Sequence, residues 1–386
     1  MIAERLRHVE SSPTLALAAK AKALVKAGKR VLDFTAGEPD FPTPEHIKRA
    51  AIDAIERNQT KYTPAAGILE LRSAVANDLS RRLGVPYAPA EVIVSTGAKQ
   101  ALYNALQAIC DPGDEVLVLS PYWVSYLPLV RLADATPVVI ETREADRFQP
   151  EPTAVKAAIT NRTKAIILNS PSNPTGAVIE RPRLKALAEL ALAKDLFVIS
   201  DEIYDQMVFP PIEARSVVQE DRKILERTLL INGVSKSYSM TGWRIGYAAG
   251  PTHVIEAMTA LQSHSTSNPT SISQYAALAA LTGDQADVKR MAAEFHRRRD
   301  RLVNGLNQLK DLSCVMPDGA FYAWCNIGHL GQPAEVIAAR WLEESLIAVV
   351  PGEGFGSSSH VRFSFATSLE AIDEALGRLR DWLQKR

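Results

Sequence analysis

Cysteine is almost missing from this chain of 386 residues. The three present, Cys110, Cys314 and Cys325, lie far apart and form no CxxC pair. That excludes a disulfide framework and offers no zinc-ligand spacing, so a reducing cytoplasm is the expected setting and no metal is expected. An excess of either charge is missing too, because Lys+Arg and Asp+Glu both number 44. No basic face is implied, and nucleic acid is not an expected partner. No apolar run is long enough to span a bilayer, so a membrane is not expected either. The first residues, Met1-Ile2-Ala3-Glu4-Arg5-Leu6-Arg7, mix charges without an apolar core and do not read as a signal peptide. Repeats and low-complexity segments are also absent.

What is present is apolar residue, 46% of the chain, enough to build cores. The length is too great for one ordinary core, so two domains are expected. Short β-branched runs alternate with longer helical patterns through the middle of the sequence. Strands are expected at residues 91–95, 115–120, 137–141, 164–169, 196–201, 228–232 and 244–249, with helices such as 98–109 and 183–194 between them. This alternation predicts an α/β domain with a mostly parallel sheet. Runs such as Ala165-Ile166-Ile167-Leu168 are apolar on both faces, as a sheet covered by helices requires. Beyond about Ser271, long helices precede strand-like runs at 319–324 and 361–365, which reads as a smaller α+β domain. The expected division is 1–45 as an N-terminal segment packing with the small domain, 46–275 as the large domain and 276–386 as the small one.

Ligands of α/β sheets sit outside the carboxyl ends of the strands. After the first expected strand, Thr96-Gly97-Ala98-Lys99 opens a helix whose N-terminal N–H groups suit a phosphate. After the second, Trp123 in Pro121-Tyr122-Trp123 is suited to stack on a flat heteroaromatic ring or to cap the core. After the fourth, Asn173 lies in Ser170-Pro171-Ser172-Asn173-Pro174-Thr175-Gly176, held between prolines, with an amide able to donate to a phenolate oxygen. After the fifth, Asp201 ends a buried run, where it either caps the next helix or pairs with a protonated pyridine nitrogen. Tyr204 follows it at helical spacing, within reach of a ring oxygen. Finally, Lys236 follows the apolar run Leu229-Leu230-Ile231, with Ser235 beside it and Arg244 eight positions on. A lysine carried into the interior tends to lose its charge, and a neutral amine makes Schiff bases with aldehydes. A phosphate seat, a ring stacker, a phenolate donor, a pyridinium partner and an amine are together what pyridoxal 5′-phosphate needs.

Those motifs resemble the fold-type I pyridoxal-phosphate enzymes of the class I aminotransferase family, and within it the prokaryotic branch of aspartate aminotransferases. The resemblance runs from Thr35-Ala36-Gly37-Glu38-Pro39-Asp40-Phe41 to Val361-Arg362-Phe363-Ser364-Phe365-Ala366. It implies a seven-stranded, mostly parallel sheet flanked by helices, plus the smaller α+β domain. It implies that Lys236 is the lysine that carries the cofactor, that Asp201 pairs with the ring nitrogen, and that Asn173 and Tyr204 meet the ring oxygen. Trp123 would lie against the ring, and Gly97, Ala98, Ser235 and Arg244 would hold the phosphate. Tyr62, in Lys61-Tyr62-Thr63-Pro64, would reach the phosphate in the neighbouring subunit, which implies a homodimer with shared sites. Gly37 and Arg362, together with Trp123 and Asn173, would bind the substrate around its α-carboxylate, Arg362 through its planar fork.

The same branch implies that Lys99 and Ser12 meet the distal carboxylate of a dicarboxylic amino acid. Transfer of the amino group from aspartate to 2-oxoglutarate is therefore the expected activity, in two ping-pong halves. Relatives that also use prephenate tend to carry a lysine two residues before that serine, where this chain has Glu10. Pro13 stands where the family often has alanine. An aminotransferase for aromatic or neutral amino acids, a pyridoxal-phosphate C–S β-lyase and a regulatory module on the same fold are the alternatives.

Overall fold

The computed structural model describes residues 20–386 apart from Lys22. The two residues on which the expected specificity segment depends, Glu10 and Ser12, lie outside that range with Pro13.

The larger sheet has seven strands: β2 (Val92–Ser95), β3 (Glu115–Ser120), β4 (Thr136–Glu141), β5 (Thr163–Asn169), β6 (Phe197–Asp201), β7 (Thr228–Gly233) and β8 (Gly246–Ala249). Their order is β2-β8-β7-β6-β5-β3-β4, and β8 alone runs antiparallel to its neighbours. The expected strands are thus present, with ends that differ by up to two residues.

Alternation along each strand sends side chains to two cores. Val116, Val118, Ile167 and Ile199 face one side, while Leu117, Ile166, Leu168 and Val198 face the other. The helix Ala98–Ile109 covers the first face with Ala101, Leu102, Ala105, Leu106 and Ile109. A second helix, Arg181–Ala193, covers the other with Leu184, Leu187, Ala188 and Ala191, the i, i+3, i+4, i+7 stripe of an amphipathic helix. With both faces dry, the polar residues of this region have one place left, the loops beyond the strand ends.

A four-stranded antiparallel sheet follows, in the order β12-β13-β10-β9, built from β9 (Ser313–Cys314), β10 (Tyr322–Asn326), β12 (Val350–Pro351) and β13 (His360–Ser364). Phe295 and Leu302 of one long helix, Trp341 of another and Leu379 of the last pack over it. The short strand β1 (Leu32–Asp33) pairs in parallel with β11 (Ile347–Ala348), and Phe34 stacks edge-on against Phe363 at 5.6 Å. The N-terminal segment is thereby tied to the small sheet. The helix Ser271–Thr282 packs Ala276, Ala277 and Ala280 against Val92, Val94 and Tyr247 of the large sheet, so the expected division at 275/276 passes through it.

Candidate active site

All strands of the large sheet except β8 point the same way, so the loops after β2, β3, β5, β6 and β7 emerge along one edge. A cleft of about 550 Å³ lies there, closed from the other side by Tyr322, Phe355 and Arg362. Ala98, Lys99, Trp123, Asn173, Asp201, Tyr204, Ser235, Lys236 and Arg244 all line it, with Gly37. The residues singled out in the sequence are therefore brought together, apart from Gly97, which sits behind the wall against Arg244, and two others. Ser12 lies outside the described residues, and Tyr62 is 92% exposed and not part of this cleft wall.

Lys236 stands in the turn after β7, and its Nζ donates to the Gly37 carbonyl at 2.6 Å. The amine is reachable from the cleft, yet the surrounding packing lowers its pKa to about 8. Desolvation is the first cause; Glu38 opposes it, and the cations Arg362 and Arg244 add to it. Roughly a tenth is then free amine at pH 7, far more than for an ordinary lysine, and the free amine is the form that acts as nucleophile or base.

Asp201 is 4% exposed at the end of β6. The Tyr126 hydroxyl donates to Asp201 Oδ2 at 2.6 Å, and the Ile203 amide donates to Oδ1 at 3.3 Å. Burial raises the carboxyl to about 6, and the two donors pull it back down. No helix follows: residues 203–206 form a turn, so Asp201 caps nothing and Tyr204 reaches the cleft from that turn. Tyr126 was not visible as a site residue in the sequence. Its only signal was its place three residues after Trp123, against which its ring packs edge-on at 5.5 Å.

At the N-terminus of the helix Ala98–Ile109, Gly97 has a φ of +84°, and a Cβ there would lie 2.4 Å from Arg244 Nη2. A Cβ on Gly246 would lie 2.1 Å from the Ala98 amide nitrogen. Both glycines let the guanidinium and the helix N-terminus converge. Two positive groups pressed together in this way repel one another unless an anion lies between them. Lys99, one residue on, holds its Nζ 4.8 Å from the Trp123 ring centroid, and burial followed by Arg244 lowers its pKa.

Arg362 comes from β13 of the small sheet and is 5% exposed. Its Nη1 donates to Asn173 Oδ1 at 3.0 Å and its Nη2 to the Thr35 carbonyl at 3.1 Å. The guanidinium carbon lies 4.3 Å from the Tyr322 ring centroid and 5.1 Å from that of Phe355. Its Nε is buried without a partner, and among the described residues no carboxylate pairs with it. A buried cation with no counter-charge is costly, and a ligand carboxylate meets that need. Because Asn173 Oδ1 faces Arg362, its amide nitrogen is left for another acceptor.

These donors fit pyridoxal phosphate: a converging positive pair for the phosphate, a flat indole, a buried carboxylate for the ring nitrogen and a low-pKa amine. A seven-stranded, mostly parallel sheet with such a site beyond its carboxyl ends is the architecture of the fold-type I pyridoxal-phosphate enzymes. Residues 29–379 match the family described as aminotransferase class I and II, and the chain belongs to that family. An aspartate aminotransferase of Geobacillus stearothermophilus is 46% identical over 100% of this chain and 99% of its own. An aspartate/prephenate aminotransferase of Thermus thermophilus is 47% identical, over 98% of this chain and 97% of its own. A solved structure of the Thermus thermophilus aspartate aminotransferase with maleate superposes with a TM-score of 0.95 at 46% identity, covering 99% of both chains.

Proposed function

We propose that the chain is an aspartate aminotransferase, which moves the amino group of L-aspartate to 2-oxoglutarate and yields oxaloacetate and L-glutamate. The observation that carries this reading is the unpaired, buried Arg362 facing Lys236, a lysine of lowered pKa, across one cleft. The names of relatives at 46–47% identity support the substrate, as does the dicarboxylate maleate in the Thermus structure.

When bound, pyridoxal phosphate supplies an aldehyde that takes up the amino group and a ring that delocalises the electrons freed at the α-carbon. Lys236 would hold the cofactor at rest. Its Nζ, when free, would be the base that removes the α-proton and the acid that returns one. Asp201 would keep the ring nitrogen protonated, with Tyr126 fixing the carboxylate. Asn173 and Tyr204 would meet the ring oxygen; Gly97, Ala98, Ser235 and Arg244 would hold the phosphate, and Trp123 would lie against the ring. Arg362, with Gly37, would bind the α-carboxylate, and Lys99 with Ser12 the distal one.

The reading includes a homodimer in which the partner's Tyr62 completes the phosphate seat. The exposed apolar residues Ile52, Ile55 and Leu69, near Tyr62 in sequence, support a second copy on that side. It also includes a cytoplasmic setting and the two-domain division given above; among the described residues no helix is long and apolar enough to cross a membrane. Prephenate is the second reading, favoured by the name of the Thermus relative. Glu10 weighs against it, since an acid there would repel a second carboxylate.

Half-reactions with aspartate, glutamate, phenylalanine, tyrosine and arogenate, followed by the absorbance of the bound cofactor, test the assignment. Aspartate and glutamate are expected to react fastest. Lys99→Ala is expected to slow both by about tenfold, the worth of one hydrogen bond to a charged group, and to leave phenylalanine within about twofold. Faster turnover of aromatic substrates, with aspartate unaffected by Lys99→Ala, would overturn the assignment.

A further inference from the structure

Tyr322 belongs to none of the strand-end loops. It opens β10 opposite Ser364, and so stands diagonal to Arg362, which pairs with Trp324. Diagonal neighbours on one face of an antiparallel pair are about 7–8 Å apart, within reach of a long or aromatic side chain. The Tyr322 ring uses that reach to lie under the Arg362 guanidinium, at 4.3 Å. Its hydroxyl lies 3.0 Å from the Tyr204 hydroxyl on the large-sheet side. One side chain, 1% exposed, thus touches both the cation facing the carboxylate and the phenol facing the ring.

A phenol has a single proton to give. If Tyr204 donates to Tyr322, it has none left for the cleft. If Tyr322 donates, the Tyr204 proton is free to point inward, and the bond it receives makes it a better donor. Arg362 decides between these. Burial raises both phenols, and Arg362 opposes the rise in both. Its guanidinium lies against the Tyr322 ring itself, 4.3 Å from the centroid, where a positive charge favours that phenol giving up its proton.

We propose that Tyr322 is a positioning residue: it donates to Tyr204 and turns the Tyr204 proton into the cleft, while its ring keeps the Arg362 guanidinium in plane. This rests on the aminotransferase reading above, in which Tyr204 meets the ring oxygen of the cofactor. A donor at that oxygen favours its anionic form, so weakening the donor raises the pH at which the bound cofactor loses its proton.

The test is the pH titration of the visible absorbance of the holoenzyme. Tyr322→Phe is expected to raise the midpoint by about half a pH unit and to lower kcat several-fold. The KM for dicarboxylates is expected to stay within about twofold, because the phenyl face still meets the guanidinium. Tyr322→Leu, which removes the face as well, is expected to raise that KM about fivefold. In a Tyr204→Phe background, Tyr322→Phe is expected to leave the midpoint where it is. An unchanged midpoint in Tyr322→Phe, or an equal shift in both backgrounds, would overturn the proposal. Tyr322→Met, which also lacks the hydroxyl, repeats the comparison should the Phe variant prove unstable. Failure of the underlying reading shows separately, as a Lys236→Ala protein that keeps the wild-type absorbance.

Discussion

On the large-sheet side of the cleft, the functional side chains sit at or just beyond strand ends, gathered from five different connections. On the small-sheet side, Arg362 and Tyr322 sit inside paired strands. The loops reach special backbone shapes to do this: Gly97 at +84°, and Ser239 and Arg244 at φ of +53° and +55°. Such conformations persist only where the surroundings over-determine them, and they cluster at functional sites. The strand side needs no special backbone, because the ladder holds both residues and the aromatic rings hold the guanidinium. One wall therefore gathers varied chemistry from many loops, and the other presents one rigid cation.

If that contrast is right, the strand side should fail sharply and the loop side by degrees. Arg362→Lys keeps the charge but loses the fork, and the buried contacts to Asn173 and Thr35 go with it. It is expected to lower kcat/KM for aspartate by about 10²-fold or more, with most of the loss in KM. Steady-state kinetics checks this; a loss under fivefold would mean the carboxylate binds elsewhere.

Tyr126→Phe probes the loop side. The Tyr126 hydroxyl is the largest influence holding the Asp201 carboxyl down against burial. Without it the carboxyl is held down less, and its ionised form is lost at higher pH as pH falls. The acid limb of the kcat/KM profile is therefore expected to move to higher pH, with activity at pH 7 reduced by about tenfold. An unmoved acid limb would remove Tyr126 from the site.

The smallest effect concerns how the walls are joined. Glu144, from the segment after β4, lies 3.3 Å from His360 Nε2 of β13 and accepts from Asn326 of β10. The close approach of His360 is the first cause holding the Glu144 carboxyl below its usual range. A depressed carboxylate contributes stability above the ordinary carboxylate pKa and loses it as pH falls through the folded value. Glu144→Gln is expected to lower Tm by about 2 °C at pH 7, and the difference should close below pH about 4. Thermal melts at the two pH values check it.

The same contrast explains what could be read from the sequence. Strands with dry faces, such as Ala165-Ile166-Ile167-Leu168, announce themselves by composition, and the polar residues after them stand out. Asp201, Asn173 and Lys236 were found in this way. Tyr322 was not, because in Phe321-Tyr322-Ala323-Trp324 it looks like one more core aromatic, and only the β10–β13 register reveals its neighbour. Arg362 was found through the family resemblance alone, since nothing about one arginine in a strand marks it as unpaired. Tyr126 was hidden because its partner is 75 residues away in sequence. The turn after Asp201 is not legible in the sequence either, since short-range pattern does not say where a backbone turns.

In the proposed function, Lys236 is the amine that carries the cofactor. Its rival is Lys99, which lines the same cleft and also has a lowered pKa. Borohydride reduction of the protein loaded with pyridoxal phosphate, followed by peptide mass mapping, decides between them. One pyridoxyl group per chain is expected, on the peptide that contains Lys236, and none on Lys236→Ala. A label on Lys99 instead, or one that survives Lys236→Ala, would contradict it.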